Sequence, residues 1–184
     1  MENNKIRKRE EIPVEDTWAV EDLYASDELW EQELAHMVAQ GKEMASYAGK
    51  LGQDAKTLLA YMKLLEDVQV RSAQLSNYAQ RKGDEDTRVA AYQAMVSKFS
   101  AAFVELNTST SFEIPELLAI PDDTLEQFYA EEPDLMRFRR FIGDQRRLKA
   151  HTLSPAEEKL LAAVGSITRT PSDVFGMMAN ADMT

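Results

Sequence analysis

The chain has 184 residues, of which 44% are hydrophobic and 29% are charged, a composition typical of a folded globular protein. Acidic residues outnumber basic ones by 32 to 21, and the resulting net charge of −11 repels phosphate backbones and argues against nucleic acid as a partner. The absence of cysteine excludes disulfides and thiol catalysis and is compatible with the cytoplasmic location that we expect.

Residues 1–25 are predicted to form an extended, aromatic-rich leading segment. The start, "MENNKIRKREEIP", has no apolar run behind its basic residues, so we do not expect a signal peptide. No later stretch reaches the roughly 18 apolar residues that a membrane span needs, so no membrane contact is expected either. Trp18, Leu23 and Tyr24 are expected to pin the leading segment onto a helical body.

Three long helices are predicted between residues 26 and 112. The first begins after Ser26, whose hydroxyl can accept a hydrogen bond from a free amide at the helix start. The second extends from about Asp54 to Arg81, "KGDED" (82–86) forms a turn, and the third opens near Asp86 and fades in "NTSTS" (107–111). Apolar residues at three- and four-residue steps define the inner faces: Trp30, Leu34, Met37, Val38, Met44 and Ala45; Leu58, Leu59, Met62, Leu65, Val68, Leu75 and Ala79; Val89, Tyr92, Val96, Phe99, Phe103 and Leu106.

Residues 113–184 are predicted to form shorter helices that lead toward a missing catalytic domain. One starts at Pro115, one lies between Pro121 and Pro133, and the next follows Pro133. Ser154 and Glu157 are predicted to form a capping box, Pro155 fits the first helical position, and "TPSD" (170–173) repeats this helix-start signal with aspartate. No long alternating pattern indicates a strand. The predicted fold class is therefore all-α: an antiparallel bundle of three long helices followed by several shorter ones.

The residues alone do not support a metal site. Histidine occurs only at positions 36 and 151, and the zinc motif HExxH is absent. Glu33 and His36 have the Glu-x-x-His spacing of carboxylate-bridged di-iron bundles, but such sites need a second copy of the motif. The simpler interpretation is that Glu33 and His36 lie on a solvated helix shoulder. We predict no catalytic and no metal-binding residue in this chain.

A basic stretch, "RFRRFIGDQRRLK" (137–149), stands out in this acidic protein. It is either a solvated helix face with charge pairs four residues apart or a contact surface for an acidic partner or a peptide carboxylate. The second interpretation makes a possible interface of Arg137, Phe138, Arg140, Phe141 and Arg147.

Three stretches resemble one family, the oligoendopeptidase F group of thimet-oligopeptidase-like zinc metallopeptidases. The first is "REEIPVEDTWAVEDLYASDELWEQEL" (9–34), with its Ile-Pro, two tryptophans and Asp-Leu-Tyr. The second is the turn "YAQRKGDEDT" (78–87). The third comprises "RLKAHTLSPAEEKLLA" (147–162) and "VFGMMANADMT" (174–184). The resemblance extends from about residue 9 to the last residue.

This resemblance implies a parent enzyme that is cytoplasmic, mostly helical and closed around a cleft for short peptides. In that family several hundred further residues follow the Asn-Ala-Asp segment, and they carry HExxH and a downstream glutamate. The resemblance implies zinc as the cofactor of the parent, with none bound by this chain, and oligopeptides as its substrates.

We therefore expect an amino-terminal helical domain that forms part of the substrate-cleft wall of such a peptidase. The chain by itself is predicted to be inactive, because it lacks HExxH, and to associate with itself or with the missing catalytic domain. The alternative is a free-standing acidic helical adaptor or interaction domain without enzymatic activity.

Overall fold

A computed structural model describes residues 11–85 and 89–148, together with positions 171, 174 and 175. The chain divides into two units, Arg9–Arg146 and a second one made of Met1–Lys8 with Arg147–Thr184. The helix starts expected at Ser154 and Asp173 lie outside the described residues. Within the described part the regular secondary structure is entirely helical, which confirms the all-α prediction.

Three long helices and three shorter ones follow one another along the described chain. The long ones are α1 (Asp27–Ala45), α2 (Ala55–Glu85) and α3 (Ala90–Ser109). The shorter ones are α4 (Glu113–Ala119), α5 (Asp122–Glu131) and α6 (Arg139–Leu148). Short 3-10 helices span Val14–Asp16, Val20–Asp22 and Pro133–Phe138. No helix of the described part is both long and apolar enough to cross a membrane.

Two of the long helices begin where the sequence predicts. The Ser26 hydroxyl accepts a hydrogen bond from the Leu29 amide at 3.3 Å, as expected for a helix cap. At the start of α2, the Asp54 carboxylate accepts one from the Thr57 amide at 2.8 Å. Both side chains satisfy a backbone amide that has no partner inside the helix.

The turn predicted at 82–86 is wrong, because α2 continues through Lys82 and Gly83 to Glu85. The start of α3 supports this extra turn. The Lys82 ammonium lies 5.2 Å from the ring centre of Tyr92, and the Gln93 side-chain amide donates to the Gly83 carbonyl at 3.5 Å. The third helix accordingly begins at Ala90 and not near Asp86.

Helices α1 and α2 pack side by side in opposite directions. Hydrogen bonds link Tyr78 to Asp27 and the Trp30 indole to the Leu75 carbonyl, at 2.7 and 2.9 Å. Further along, the Gln40 amide donates to Asp67 at 2.6 Å. The residue numbers rise in α1 as they fall in α2, which is the signature of an antiparallel pair. All seven positions of the predicted α2 stripe are buried in the core.

The leading segment is held at Val20 and Tyr24 but not at Trp18. The Tyr24 ring is buried and meets Tyr78 edge to face, with ring centres 5.5 Å apart. Trp18, in contrast, is 71% exposed and lies over the Arg81 guanidinium. The prediction that Trp18 anchors this segment in the helical body is wrong, because its indole contacts Arg81 on the surface of α2 and is not part of the core.

Two side chains hold α4 in place. The Glu116 carboxylate accepts hydrogen bonds from the Gly49 and Leu51 amides and so fixes the loop between α1 and α2. The Arg146 guanidinium donates to the Leu117 and Ile120 carbonyls, at 3.2 and 2.8 Å, near the carboxyl end of α4. These bonds satisfy carbonyls that the end of a helix leaves without partners.

Two glycines should respond in opposite ways to replacement by alanine. Gly49 has φ +77°, a conformation that a Cβ atom disfavours, so Gly49→Ala should destabilise the fold by about 1–2 kcal/mol. Gly143 lies in α6, where a Cβ would meet no atom within 4 Å, so Gly143→Ala should stabilise it by about 0.5–1 kcal/mol. Urea unfolding of both variants tests this pair. Equal shifts of the two midpoints would contradict the backbone assignment at Gly49.

Candidate functional site

A groove with a volume of about 610 Å³ lies along α2 and α3 and reaches the start of α4. Its α2 wall carries the small side chains Ser72, Ala73 and Ser76, and its α3 wall carries Phe99 and Phe103. Small residues that face large rings leave space between the two helices. The groove falls within the size range of about 300–1,000 Å³ that is usual for ligand pockets.

The position of α3 is set by a close approach to α1. A Cβ atom on Gly41 would lie only 3.0 Å from Leu106, so glycine allows this leucine to pack directly on the α1 backbone. Leu106 and Met95 are the two residues of α3 that are buried. The face of α3 that carries Phe99 and Phe103 is consequently less covered and borders the groove.

Glu113 at the first turn of α4 supplies a carboxylate to this groove. Its side chain is only 9% exposed, and one oxygen accepts a hydrogen bond from the Tyr61 hydroxyl at 2.8 Å. Tyr61 is itself buried and lies against the rings of Tyr47 and Phe112, with centres 5.5 and 5.8 Å away. The aromatic rings thus fix the hydroxyl that holds the carboxylate.

Burial dominates the ionisation of this pair. Loss of water raises the pKa of the Glu113 carboxyl, and the hydrogen bond from Tyr61 offsets only part of that rise. The pKa of Tyr61 is raised as well, first by burial and then by the negative charge of Glu113. A buried carboxyl group with a raised pKa is protonated over a wider range of pH than usual. A cation bound next to it would lower that pKa and favour the ionised form.

A second surface feature also borders α2. Trp18, Leu23 and Val70 form an exposed apolar patch beside Arg81, which we call the Trp18 patch. The Arg81 guanidinium lies 5.6 Å from the Trp18 ring centre, and its buried Nε atom has no hydrogen-bond partner among the described residues. Tryptophan and arginine in one cluster are typical of protein interfaces.

Glu33 and His36 do not form a metal site in the described structure. Glu33 makes an ion pair with Arg71, which also contacts Gln40 and Asp67 across α1 and α2. His36 is exposed. Among the described residues there is no group of three or more side chains that could hold a metal ion. His151 lies outside that part of the chain.

The basic stretch is divided between core and surface. Phe138 is buried and Phe141 packs against the core, so both rings stabilise the fold. Arg137 pairs with Glu66 at 2.6 Å. Arg140, whose side chain is 94% exposed, and Arg147 lie at the surface. The interface expected from these five residues stays a prediction.

Neither the groove nor Glu113 is among the sites that we expected from the sequence. A signal was present, because Glu113 stands four and seven positions before Leu117 and Ile120, which are both buried. Those spacings put the three side chains on one face of the short segment. An acidic residue at a helix start is also explained by the helix dipole, so this spacing alone does not predict a buried carboxyl group.

Comparisons with known proteins give a consistent result. Residues 116–184 match the family profile described as Oligopeptidase F. The Bacillus subtilis oligopeptidase PepF is 32% identical over 181 residues, which are 98% of this chain and 27% of that protein. A plasmid-encoded oligoendopeptidase F of Lactococcus lactis is 33% identical over 96% of this chain and 30% of its own length.

This chain matches an amino-terminal region of oligoendopeptidase F-like peptidases. Its backbone superimposes on a crystal structure of oligoendopeptidase-F from Enterococcus faecium with a TM-score of 0.72 and 31% identity, over 86% of this chain and 31% of that one. A putative peptidase from Chlamydophila abortus shares the fold, with a TM-score of 0.70 at 22% identity. The oligoendopeptidase F-like chain spans less than a third of the length of the curated relatives it matches, and the adaptor alternative is not favoured.

We expect Glu113→Gln to change how stability depends on pH. A carboxyl whose pKa is raised by folding contributes stability that is present at low pH and lost as pH rises through the folded pKa. Glutamine cannot ionise, so the variant should gain stability relative to wild type on going from about pH 4 to pH 8. Urea midpoints at both pH values measure the difference.

Glu131→Gln is the matched control, because it removes one exposed carboxylate outside the groove. A stability difference between Glu113→Gln and wild type that stays constant with pH would show that burial does not disfavour ionisation at this site.

Proposed function

We propose that this chain is the amino-terminal helical part of a zinc-dependent peptidase that hydrolyses short peptides, and that it forms part of the wall of the substrate cleft. The observation that carries the proposal is the match of 98% of the chain to 27% of an oligopeptidase, supported by a backbone that superimposes on a related crystal structure with a TM-score of 0.72. A region that matches over nearly its whole length is expected to play the same structural part.

The chemistry of hydrolysis would belong to the remainder of such a peptidase. Zinc bound there would supply Lewis-acid chemistry for the scissile carbonyl and for the attacking water. The contribution that we propose for this chain is to shape and cover the cleft. The cytoplasm is the proposed location, because a chain without cysteine is compatible with a reducing compartment.

The Trp18 patch is the surface that we assign to contact with that remainder. Val70 is 56% exposed although it lies in the middle of the longest helix, and Trp18, which lines the same patch, is 71% exposed. When the remainder is absent, the same patch is open to a second copy of this chain, so we propose self-association as well.

A chimera tests the proposed function. The matching region of the Bacillus subtilis oligopeptidase PepF is replaced by this chain, and cleavage of a quenched oligopeptide is measured with and without a zinc chelator. We expect chelator-sensitive cleavage by the chimera and none by the 184-residue chain alone. A folded chimera without activity would contradict the proposal, whereas the PepF remainder without any such region serves as the negative control.

Self-association has its own test. We expect sedimentation equilibrium to show a dimer or larger species at micromolar concentration, and Val70→Asp to shift it toward monomer, because a charge in an apolar contact must be desolvated. Val104→Asp is the matched control, since Val104 is also exposed but lies outside the Trp18 patch. Equal effects of the two substitutions would remove the patch as the contact surface.

A further inference from the structure

The groove between α2 and α3 is lined by one acidic residue and by no basic residue of the described part of the chain. Of the described residues that line it, Glu113 is the one with an ionisable acidic or basic side chain. The rest of the lining is apolar, as with Leu65, Val68 and Ile114, or carries neutral hydroxyl and amide groups. A ligand in this groove therefore meets apolar side chains, neutral hydroxyl and amide groups, and one acidic residue.

The Glu113 carboxylate lacks a cationic partner in the described structure. Its recorded polar contact is with the neutral Tyr61 hydroxyl. Other carboxylates of the described residues are paired with arginine, as in the contacts of half-buried Glu33 with Arg71 and of exposed Asp122 with Arg146. A buried carboxylate without a counter-ion is costly, so a cation that reached Glu113 would relieve that cost.

The α3 wall adds a second feature that suits a cation with an apolar body. The rings of Phe99 and Phe103 stack with centres 5.6 Å apart and planes inclined by 19°. Both line the groove. Aromatic faces attract ammonium groups and also pack against hydrocarbon. The acidic residue thus suits the charged end of an organic cation, and the stacked rings suit its apolar body.

We propose that this groove binds an organic ammonium ion that carries an aryl or alkyl body, with the ammonium at Glu113 and the body between the two helices. The proposal goes beyond the proposed function, because neither peptide hydrolysis nor docking of a catalytic part requires an occupied groove. The ammonium group belongs to free amines and to the amino terminus of a short apolar peptide, and both sources share the chemistry that the groove recognises.

Calorimetric titration of the 184-residue chain tests the proposal with phenylbutylamine and its neutral counterpart, phenylbutanol. We expect the amine to bind at least about tenfold more tightly than the alcohol, as a charge-assisted hydrogen bond allows. The comparison of the two probes separates recognition of the charge from simple partitioning into an apolar space.

Substitutions locate the preference. Glu113→Gln keeps the size of the side chain and an acceptor for Tyr61, and it should bring the two affinities within about twofold of each other. Glu131→Gln lowers the net negative charge equally but lies outside the groove, so it should retain the preference. Phe103→Ala should weaken both probes together, because it removes apolar wall and no charge.

A third measurement needs no variant. Because burial raises the pKa of Glu113, amine binding by the wild-type chain should tighten as pH rises from about 4 to 8, while alcohol binding stays constant. This readout keeps the proposal testable if Glu113→Gln fails to fold.

Peptide arms distinguish the two sources. The amide of the dipeptide Phe-Leu is titrated with its amino terminus free and acetylated. Binding of the free form only would identify peptides as a source, and binding of phenylbutylamine alone would restrict the groove to small amines. The proposal is overturned if no amine binds at millimolar concentration, or if the preference for amine over alcohol survives in Glu113→Gln.

Discussion

Helix α2 is the element on which the rest of the unit Arg9–Arg146 depends. Twelve of its 31 residues are buried. α1, α3, α5 and the 3-10 helices at 20–22 and 133–138 all contact it. A helix covered on several sides derives its stability from tertiary packing and less from its own propensity. The groove and the Trp18 patch are the two places where that cover is incomplete.

Sequence periodicity predicted the helical class and the inner faces of α1 and α2 well. Apolar residues recur there at three- and four-residue steps, a spacing that places them on one face of an α-helix. The start of α1 at Ser26 was predictable for a similar reason, because the Ser26 hydroxyl caps an amide only three residues away, that of Leu29. The turn expected at 82–86 failed for the opposite reason. Gly83 and Asp84 favour a turn on their own, but Tyr92 and Gln93 from the next helix hold the chain helical. That contact joins residues whose proximity no local pattern shows.

The candidate site was harder to anticipate than the fold. The groove exists because Gly41 draws Leu106 toward α1 while Ser72 and Ser76 leave room on α2, and these four positions belong to three helices. Glu113 acquires its raised pKa from burial, which depends on how α4 packs against Tyr61. The possible interface at 137–147 was predicted from the clustering of basic residues. Phe138 and Ile142 in the same stretch, however, belong to the core. Side-chain type alone could not separate these roles.

The two tryptophans of the chain lie in opposite environments, and this gives the protein two internal optical reporters. Trp30 is fully buried and its indole is fixed to the Leu75 carbonyl, so its emission lies toward shorter wavelengths and follows unfolding of the core. Trp18 is surrounded by water and the Arg81 guanidinium, so its emission lies toward longer wavelengths and is open to collisional quenchers. A single fluorescence spectrum therefore separates covering of the surface from loss of the fold, without any added label.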